Sequence, residues 1–161
     1  MSGTGVLTHA EMCTREGVRL RRGMNFRVRG GHSVLLMSTW PDAPYRDELS
    51  EDGAVLRYEG HDAPPSLRGG QDPKTLDQPL HTPGGRLTQN GLFFRAALAA
   101  RSGEAPPERV RVYEKRRPGE WVGRGLFLLT DATQEHDGTR RVFVFRLEAV
   151  GEENDPPSAQ E

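Results

Sequence analysis

The chain has 161 residues, which is enough for one domain with a single hydrophobic core. Its one cysteine, Cys13, has no partner for an internal disulfide bond. Residues 1–5 lack the basic and apolar succession of a signal peptide, so we expect an intracellular protein. No apolar run approaches the ~20 residues that cross a bilayer, and the sequence therefore predicts no transmembrane segment.

The net charge of −1 hides an uneven distribution of charged residues. From Glu148 onward the chain has acids but no Lys or Arg, and we expect residues 151–161 to form an acidic disordered tail. The remaining body is mildly basic, with six arginines between Arg15 and Arg29. A second basic group consists of Arg109, Arg111, Lys115, Arg116, Arg117 and Arg124. Such groups can neutralise phosphates. The alternative is that the excess of arginine over lysine, twenty to two, reflects genome base composition.

The first elements in the chain are a short helix and a candidate hairpin. Thr8 and Glu11 have the spacing of a capping box, which predicts a helix that ends at about Gly17. The pair Gly30-Gly31 lies inside a β-prone stretch at residues 27–38. Two adjacent glycines between such segments predict a tight turn, and therefore a hairpin.

The middle of the chain alternates between strand, loop and helix patterns. A turn signal precedes a predicted strand at residues 54–58. Five prolines and paired glycines at residues 63–85 predict a long structured loop. Apolar residues at three- and four-residue spacing then predict a helix at Gln89–Arg101. The remaining predicted strands are residues 109–114, 121–130 and Arg141–Ala149.

Two tyrosines and a group of acids surround the predicted strand at residues 54–58. Tyr45 precedes Asp47 and Glu48, and the strand ends at Tyr58 and Glu59. The two rings can face each other across a slot with a carboxylate between them, which suits a flat, amine-bearing ring. A nucleobase flipped out of a duplex needs stacking on its faces, and the exocyclic amine of cytosine is a donor that a carboxylate can accept. The alternative is that both tyrosines are half-buried sheet aromatics and the acids only solvate a loop.

Several short motifs occur in the order in which SRA (YDG) domains have them, between about residues 20 and 148. The motifs are His32-Ser33-Val34-Leu35-Leu36-Met37-Ser38, Tyr45-x-Asp47, Tyr58-Glu59-Gly60, Asp77-Gln78-Pro79-Leu80, Val110-Arg111-Val112-Tyr113 and Val142-Phe143-Val144-Phe145-Arg146-Leu147. The chain thus resembles readers of modified cytosine found in chromatin proteins and bacterial restriction systems. The resemblance implies an α+β fold, a curved, mostly antiparallel β-barrel of the SRA/PUA-like type with flanking helices, at residues 1–150.

The resemblance also implies roles for individual residues of the pocket. Tyr45 and Tyr58 match the aromatic sandwich that holds the flipped 5-methylcytosine. The acid that accepts the cytosine amine matches Asp47 or Glu48, and we prefer Asp47 because a shorter side chain is easier to hold in place. Glu59 stands where the family commonly has Thr, so it is either a second acceptor or an acid that faces solvent.

Two loops match those that family members insert into the duplex. The turn at residues 29–32 corresponds to the minor-groove wedge, and the glycine-rich loop at residues 68–74 corresponds to the major-groove finger. The residues expected to contact DNA are Arg22, Arg29, Gly30, Gly31, His32, Arg68, Gln71 and Lys74. The Asn-Lys-Arg sequence with which chromatin-type members inspect the opposite strand is absent. The sequence therefore does not support a preference for hemimethylated DNA or for a CpG context.

Catalytic and metal chemistry have little support in the sequence. The five histidines are scattered without ligand spacing, and no Gly-x-Ser-x-Gly elbow or nuclease module is present. We therefore predict a non-enzymatic reader of 5-methylcytosine in double-stranded DNA that binds by base flipping, without a metal or cofactor. We expect it in the cytoplasm, associated with the nucleoid. The alternative is a PUA-like β-barrel that binds RNA or a small ligand in a general aromatic pocket.

Overall fold

A computed structural model describes residues 6–39 and 47–150 of the chain. Its helices are α1 (His9–Glu16), α2 (Pro65–Arg68) and α3 (Gln89–Arg101). Its strands are β1 (Met24–Asn25), β2 (Ser33–Ser38), β3 (Glu48–Leu49), β4 (Val55–Glu59), β5 (Glu108–Arg117), β6 (Glu120–His136) and β7 (Arg141–Ala149). No helix within these two ranges is long and apolar enough to cross a lipid bilayer. Tyr45 and the predicted tail at residues 151–161 lie outside the described residues.

The strands form one mixed sheet in the order β1-β2-β5-β6-β7-β4-β3. Strands β2 and β5 run parallel, and every other neighbouring pair is antiparallel. The predicted α+β class is confirmed, but the predicted barrel is wrong. No pairing in the described part of the chain joins β1 to β3 at the two ends of the order. Each of these end strands has only two residues, which offers few backbone groups for closing a barrel.

The two longer helices begin where their sequence signals predict. The Thr8 hydroxyl accepts a hydrogen bond from the Glu11 N–H at 3.1 Å, and the Glu11 carboxylate accepts one from the Thr8 N–H at 2.8 Å. This capping box is the predicted one. Helix α3 has the predicted bounds, and the Thr88 hydroxyl caps its first turn by accepting from the Gly91 N–H.

Strand β2 lies between two hydrophobic clusters. Its Leu35 and Met37 belong to the main core, together with Phe93 of α3. Val34 and Leu36 point to the other face, where they pack in a smaller cluster that includes residues of α1. Because both faces are covered, the strand reads as an uninterrupted apolar run, as is usual for a strand with a parallel partner.

The predicted tight hairpin at Gly30-Gly31 is wrong. Strand β1 ends at Asn25, which pairs with Val34, so residues 26–32 form a wide loop. Arg27 and Arg29 have φ values of 48° and 51°, a left-handed conformation that interrupts any strand. Contacts with the sheet hold this loop, since the Arg27 N–H donates to the Ser33 hydroxyl at 2.9 Å.

Gly23 stands at a close approach between the start of β1 and the end of β4. Its φ is +80°, and a Cβ atom there would lie 1.9 Å from His61 Nε2 and 2.9 Å from the Tyr58 hydroxyl. Gly119, in the turn between β5 and β6, has nearly the same φ of +82° but nothing within 4 Å of its would-be Cβ. Substitution of each glycine by alanine therefore separates two contributions to the loss of stability, the left-handed backbone conformation and the crowding of the added Cβ atom.

We expect Gly23→Ala to destabilise the fold by about 2 to 3 kcal/mol, and Gly119→Ala by only about 1 to 2 kcal/mol. Both variants carry the left-handed backbone penalty, whereas only the first displaces His61 and the Tyr58 hydroxyl. Urea denaturation followed by circular dichroism measures both changes. Equal destabilisation of the two variants would contradict the role assigned to the close approach.

Candidate functional site

Asp47 is held between the end of β2 and the end of β4. Its Oδ2 accepts a hydrogen bond from the Ser38 N–H at 3.1 Å, and its Oδ1 accepts one from the Glu59 N–H at 3.1 Å. Burial raises the pKa of Asp47 to about 7, and the nearby Glu59 carboxylate adds to this, while the two N–H donors act in the opposite direction. Asp47 is thus a carboxyl group that is fixed in position and has a pKa near neutral pH.

A cavity of about 510 Å³ adjoins Asp47. Its walls are Thr39, Asp47, Glu48, residues 49–53, Glu114 and Arg124. Acids dominate these walls, and the Arg124 guanidinium is drawn to one of them, with Nε 2.7 Å from a Glu114 carboxylate oxygen. An acid-rich wall favours a ligand that presents hydrogen-bond donors, such as an amine, over one that presents a phosphate.

Glu48 differs from Asp47 in every respect that matters for a fixed acceptor. It lies in β3, opposite Arg57 of β4, and its side chain is exposed at the wall of the cavity. The structure therefore gives the two candidate acids different environments, one held by two backbone donors and one in solvent. This difference agrees with the reason for which the sequence prefers Asp47, and the role of either acid as the acceptor stays a prediction.

The Tyr58 ring does not form the exposed wall that the predicted slot requires. The ring is 2% exposed within the main core, because Tyr58 and Leu56 share the inward face of β4. Its hydroxyl lies 3.3 Å from His61 Nε2, and burial lowers the pKa of His61 to about 4, so the imidazole is neutral. Tyr45, the other predicted platform, is not among the described residues. Tyr58 therefore does not line an open slot in the described part of the chain.

Glu59 neither faces solvent nor reaches the cavity beside Asp47. Its carboxylate is buried, 3.3 Å from Nη2 of Arg140 and 3.2 Å from the Gln78 side-chain amide. Gln78 also donates to the Gly60 carbonyl and accepts from the Phe143 N–H, both within 2.8 Å. The solvent-facing alternative for Glu59 is therefore wrong, because two polar groups from distant parts of the chain hold its side chain inside the fold. Its role as a second acceptor stays a prediction.

The predicted wedge, residues 29–32, is attached to α1. His32 Nε2 lies 2.7 Å from a carboxylate oxygen of Glu16, and the Arg29 side chain lies across Gly17. Gly30 and Gly31 are exposed, as is Arg22 on the preceding segment. The exposed backbone at Gly30-Gly31 is thus presented on a loop whose flanking side chains contact the protein itself.

The predicted finger at residues 68–74 includes the end of α2 and a short 3₁₀ turn. The Arg68 Nε–H donates to the Ala63 carbonyl at 2.8 Å, and Lys74 Nζ lies 2.8 Å from an Asp62 carboxylate oxygen. Gln71 is exposed. Two of the three finger residues expected to contact DNA therefore have partners in the preceding segment, at Asp62 and Ala63. The sequence did not indicate these contacts.

The sequence did not indicate the positions of two arginine side chains near the site. Arg124 lies at a β-bulge in β6 and lines the cavity beside Asp47, whereas the sequence placed it only in a general basic group. Arg140 belongs to no motif or basic group singled out from the sequence, and its side chain is 3% exposed. Neither burial nor a bulge leaves a local sequence pattern. Within residues 6–39 and 47–150, no three His, Cys, Asp or Glu side chains are arranged to hold a metal ion.

No protein-family model and no curated protein sequence matches the chain. Solved structures are similar in fold. The SRA domain of SUVH5 in complex with hemimethylated CG DNA has a TM-score of 0.61 and 19% identity, over 94% of this chain and 90% of that one. The SUVH5 SRA domain with fully hydroxymethylated CG DNA has the same score and identity, over 94% and 91%.

A modification-dependent restriction endonuclease, TagI, is also similar, with a TM-score of 0.54 and 18% identity. The similarity covers 94% of this chain but 50% of the endonuclease, so this chain corresponds to about half of that protein. At these identities the likeness establishes the fold and nothing finer. The chain therefore has the fold of SRA domains.

Proposed function

We propose that the chain is a non-enzymatic reader of 5-methylcytosine in duplex DNA, which binds by flipping the modified base out of the helix. The observation that carries the proposal is Asp47, a carboxyl group fixed by two backbone donors beside a cavity in an SRA fold. Similar structures are complexes of SRA domains with methylated or hydroxymethylated DNA. The proposed DNA-binding unit is residues 1–150, and the proposed location is the nucleoid.

The base edge and the cavity match in chemistry. The exocyclic amine of cytosine is a hydrogen-bond donor, and Asp47 retains lone pairs beyond those used by the Ser38 and Glu59 N–H groups. The cavity volume of about 510 Å³ lies in the range of ligand pockets. Tyr45 and Tyr58 remain the proposed stacking platforms. Because the Tyr58 ring is buried, stacking on it requires that base entry displace the groups that cover it.

The proposed phosphate contacts come from residues on exposed loops. Arg22, Gln71 and the Gly30-Gly31 backbone are exposed and available without rearrangement. Lys74 and Arg29 would reach a phosphate by leaving contacts within the protein. These residues contribute affinity for any duplex, whereas Asp47 contributes the recognition of the base.

We expect a duplex with one 5-methylcytosine to bind about fourfold more tightly than the unmethylated duplex. Burial of one methyl group contributes about 0.8 kcal/mol, and each 1.4 kcal/mol is a tenfold change. Fluorescence anisotropy with the two duplexes and an RNA of the same sequence measures this preference. A 2-aminopurine beside the modified cytosine reports flipping, since its emission rises when the neighbouring base leaves the stack.

Equal affinity for the two duplexes in every sequence context would overturn the proposal. Tighter binding of the RNA would instead favour a PUA-like RNA-binding domain. A methyl preference without a rise in 2-aminopurine emission would retain the reader and overturn the flipping step.

A further inference from the structure

Arg140 is a charged residue buried where β7 begins. Its side chain is 3% exposed, and its guanidinium lies 3.3 Å from Glu59 Oε2 through Nη2 and 2.7 Å from Asp62 Oδ1 through Nη1. Burial of a cation is unfavourable unless it is paired and hydrogen-bonded. Two carboxylates with little exposure of their own provide this pairing.

The same guanidinium fixes the backbone of the finger. Nη1 of Arg140 donates to the Pro73 carbonyl at 3.0 Å and to the Leu76 carbonyl at 3.3 Å. Asp62 uses its second oxygen to bind Lys74 Nζ at 2.8 Å. One side chain therefore fastens residues 62–76 to the tip of the β6–β7 hairpin. The planar fork of arginine can serve several acceptors at once, which the point charge of a lysine cannot do in the same geometry.

Glu59 extends this set of contacts to the candidate base-binding acid. Its N–H donates to Asp47, and its carboxylate pairs with Arg140. The acid beside the cavity and the finger are thus connected through Glu59 of β4 and Arg140, which immediately precedes β7. This connection links the part of the fold that would read the base to the part that would contact the backbone of the duplex.

We propose that Arg140 is a positioning residue, which orders residues 62–76 and holds Lys74 where a DNA phosphate can take it over from Asp62. The inference rests on the proposed function, because it assigns the phosphate contact to DNA. When Lys74 moves to a phosphate, Asp62 keeps Arg140 as its partner, so no buried carboxylate is left unpaired. Transfer of Lys74 to the duplex is therefore compatible with an intact loop.

Arg140→Lys tests the proposal, with Arg146→Lys as the matched control. Arg146 lies within β7, the strand that Arg140 precedes; it pairs with Glu148 and has a side chain that is 55% exposed. In Arg140→Lys we expect amide hydrogen exchange at Thr75 and Leu76 to become about tenfold faster, with exchange in the β2–β5 pair unchanged. Affinity for methylated and unmethylated duplexes should fall in parallel, and the salt slope should fall by about one as the Lys74 contact is lost.

Lys74→Met should lower the salt slope by the same amount without changing amide exchange, and the double variant should lower it no further. Wild-type exchange or a wild-type salt slope in Arg140→Lys, or equal changes in Arg146→Lys, would overturn the proposal. If Arg140→Lys does not fold, Asp62→Asn replaces it. This variant should tighten binding to both duplexes more than Glu104→Gln, which makes the same charge change at an exposed site, and an equal effect would overturn the proposal.

A wild-type chain that binds no duplex would overturn the proposed function itself. The exchange comparison uses no DNA, so it still decides whether Arg140 orders residues 62–76.

Discussion

Asp47→Ala is expected to abolish the preference for methylated duplex and to leave weak, salt-sensitive binding. A hydrogen bond from the cytosine amine to an ionised Asp47 contributes about 1.5 to 3 kcal/mol, so affinity for the methylated duplex should fall by about tenfold to a hundredfold. Binding through the proposed phosphate contacts, such as Arg22 and Arg29, should persist, because phosphate contacts do not depend on the base. Titration of both duplexes by fluorescence anisotropy at two salt concentrations measures both effects.

Two control variants make this result specific. Glu48→Gln changes the neighbouring exposed acid and should keep the wild-type preference, since no backbone donor fixes Glu48 in the described structure. Arg22→Ala should weaken binding to both duplexes alike and lower the salt slope by about one. If Asp47→Ala is folded by circular dichroism and keeps the wild-type preference, the base-binding acid lies elsewhere in the chain.

The wild-type chain is expected to lose about 4 kcal/mol of unfolding free energy, relative to Asp47→Asn, as pH rises through the titration of Asp47. Its folded-state pKa is about 7, against 3.8 for the ordinary group, so the native state holds this proton more tightly than the unfolded state does. Stability therefore falls with rising pH between these two values, by at most about 1.4 kcal/mol per pH unit. Below 3.8 and above about 7 the two proteins should respond to pH in the same way.

Urea denaturation of both proteins across this pH range measures the difference. The comparison with Asp47→Asn is needed because Glu16 and Asp62 have lowered pKa values, owing to their hydrogen bonds and ion pairs, and they oppose the trend in the wild-type chain. Their contributions are present above their unfolded pKa values, are lost as pH falls, and cancel in the difference. A difference that does not change with pH would show that Asp47 is ionised in the native state across the whole range.

The parts of the fold that the sequence predicts well are those whose cause is local. Helix α3 has the predicted bounds because its cap and its apolar spacing lie in one continuous stretch. The inward face of β4 follows from alternation, which places Leu56 and Tyr58 on the same side. The glycine pair at residues 30–31 misled for the opposite reason. Its neighbours Arg27 and Arg29 have left-handed conformations, and their side chains contact Glu108 and Gly17, which lie outside this stretch of sequence.

The sequence points to Asp47 as the base-binding acid, which stays a prediction, but it does not show the surroundings of that acid. Asp47 could be singled out by its place between two tyrosines, and its hydrogen bonds to Ser38 and Glu59 agree with a fixed acceptor. The environment of Glu59 depends on Arg140, 81 positions away in the chain. A pairing between residues so far apart leaves no local sequence pattern. The sequence therefore predicts Glu59 only as a second acceptor or as an acid that faces solvent. For the same reason the sequence showed Lys74 as a surface lysine.

The parallel pairing of β2 with β5 has a consequence for how the chain folds. Ser33 pairs with Val110, and Tyr58 of β4 pairs with Phe145 of β7, so the central contacts of the sheet join distant parts of the sequence. Topologies of this kind fold slowly, in about milliseconds to seconds, because long loops must close before the contacts form. During synthesis, the apolar β2 has only the two residues of β1 as a sheet neighbour until Val110 has left the ribosome.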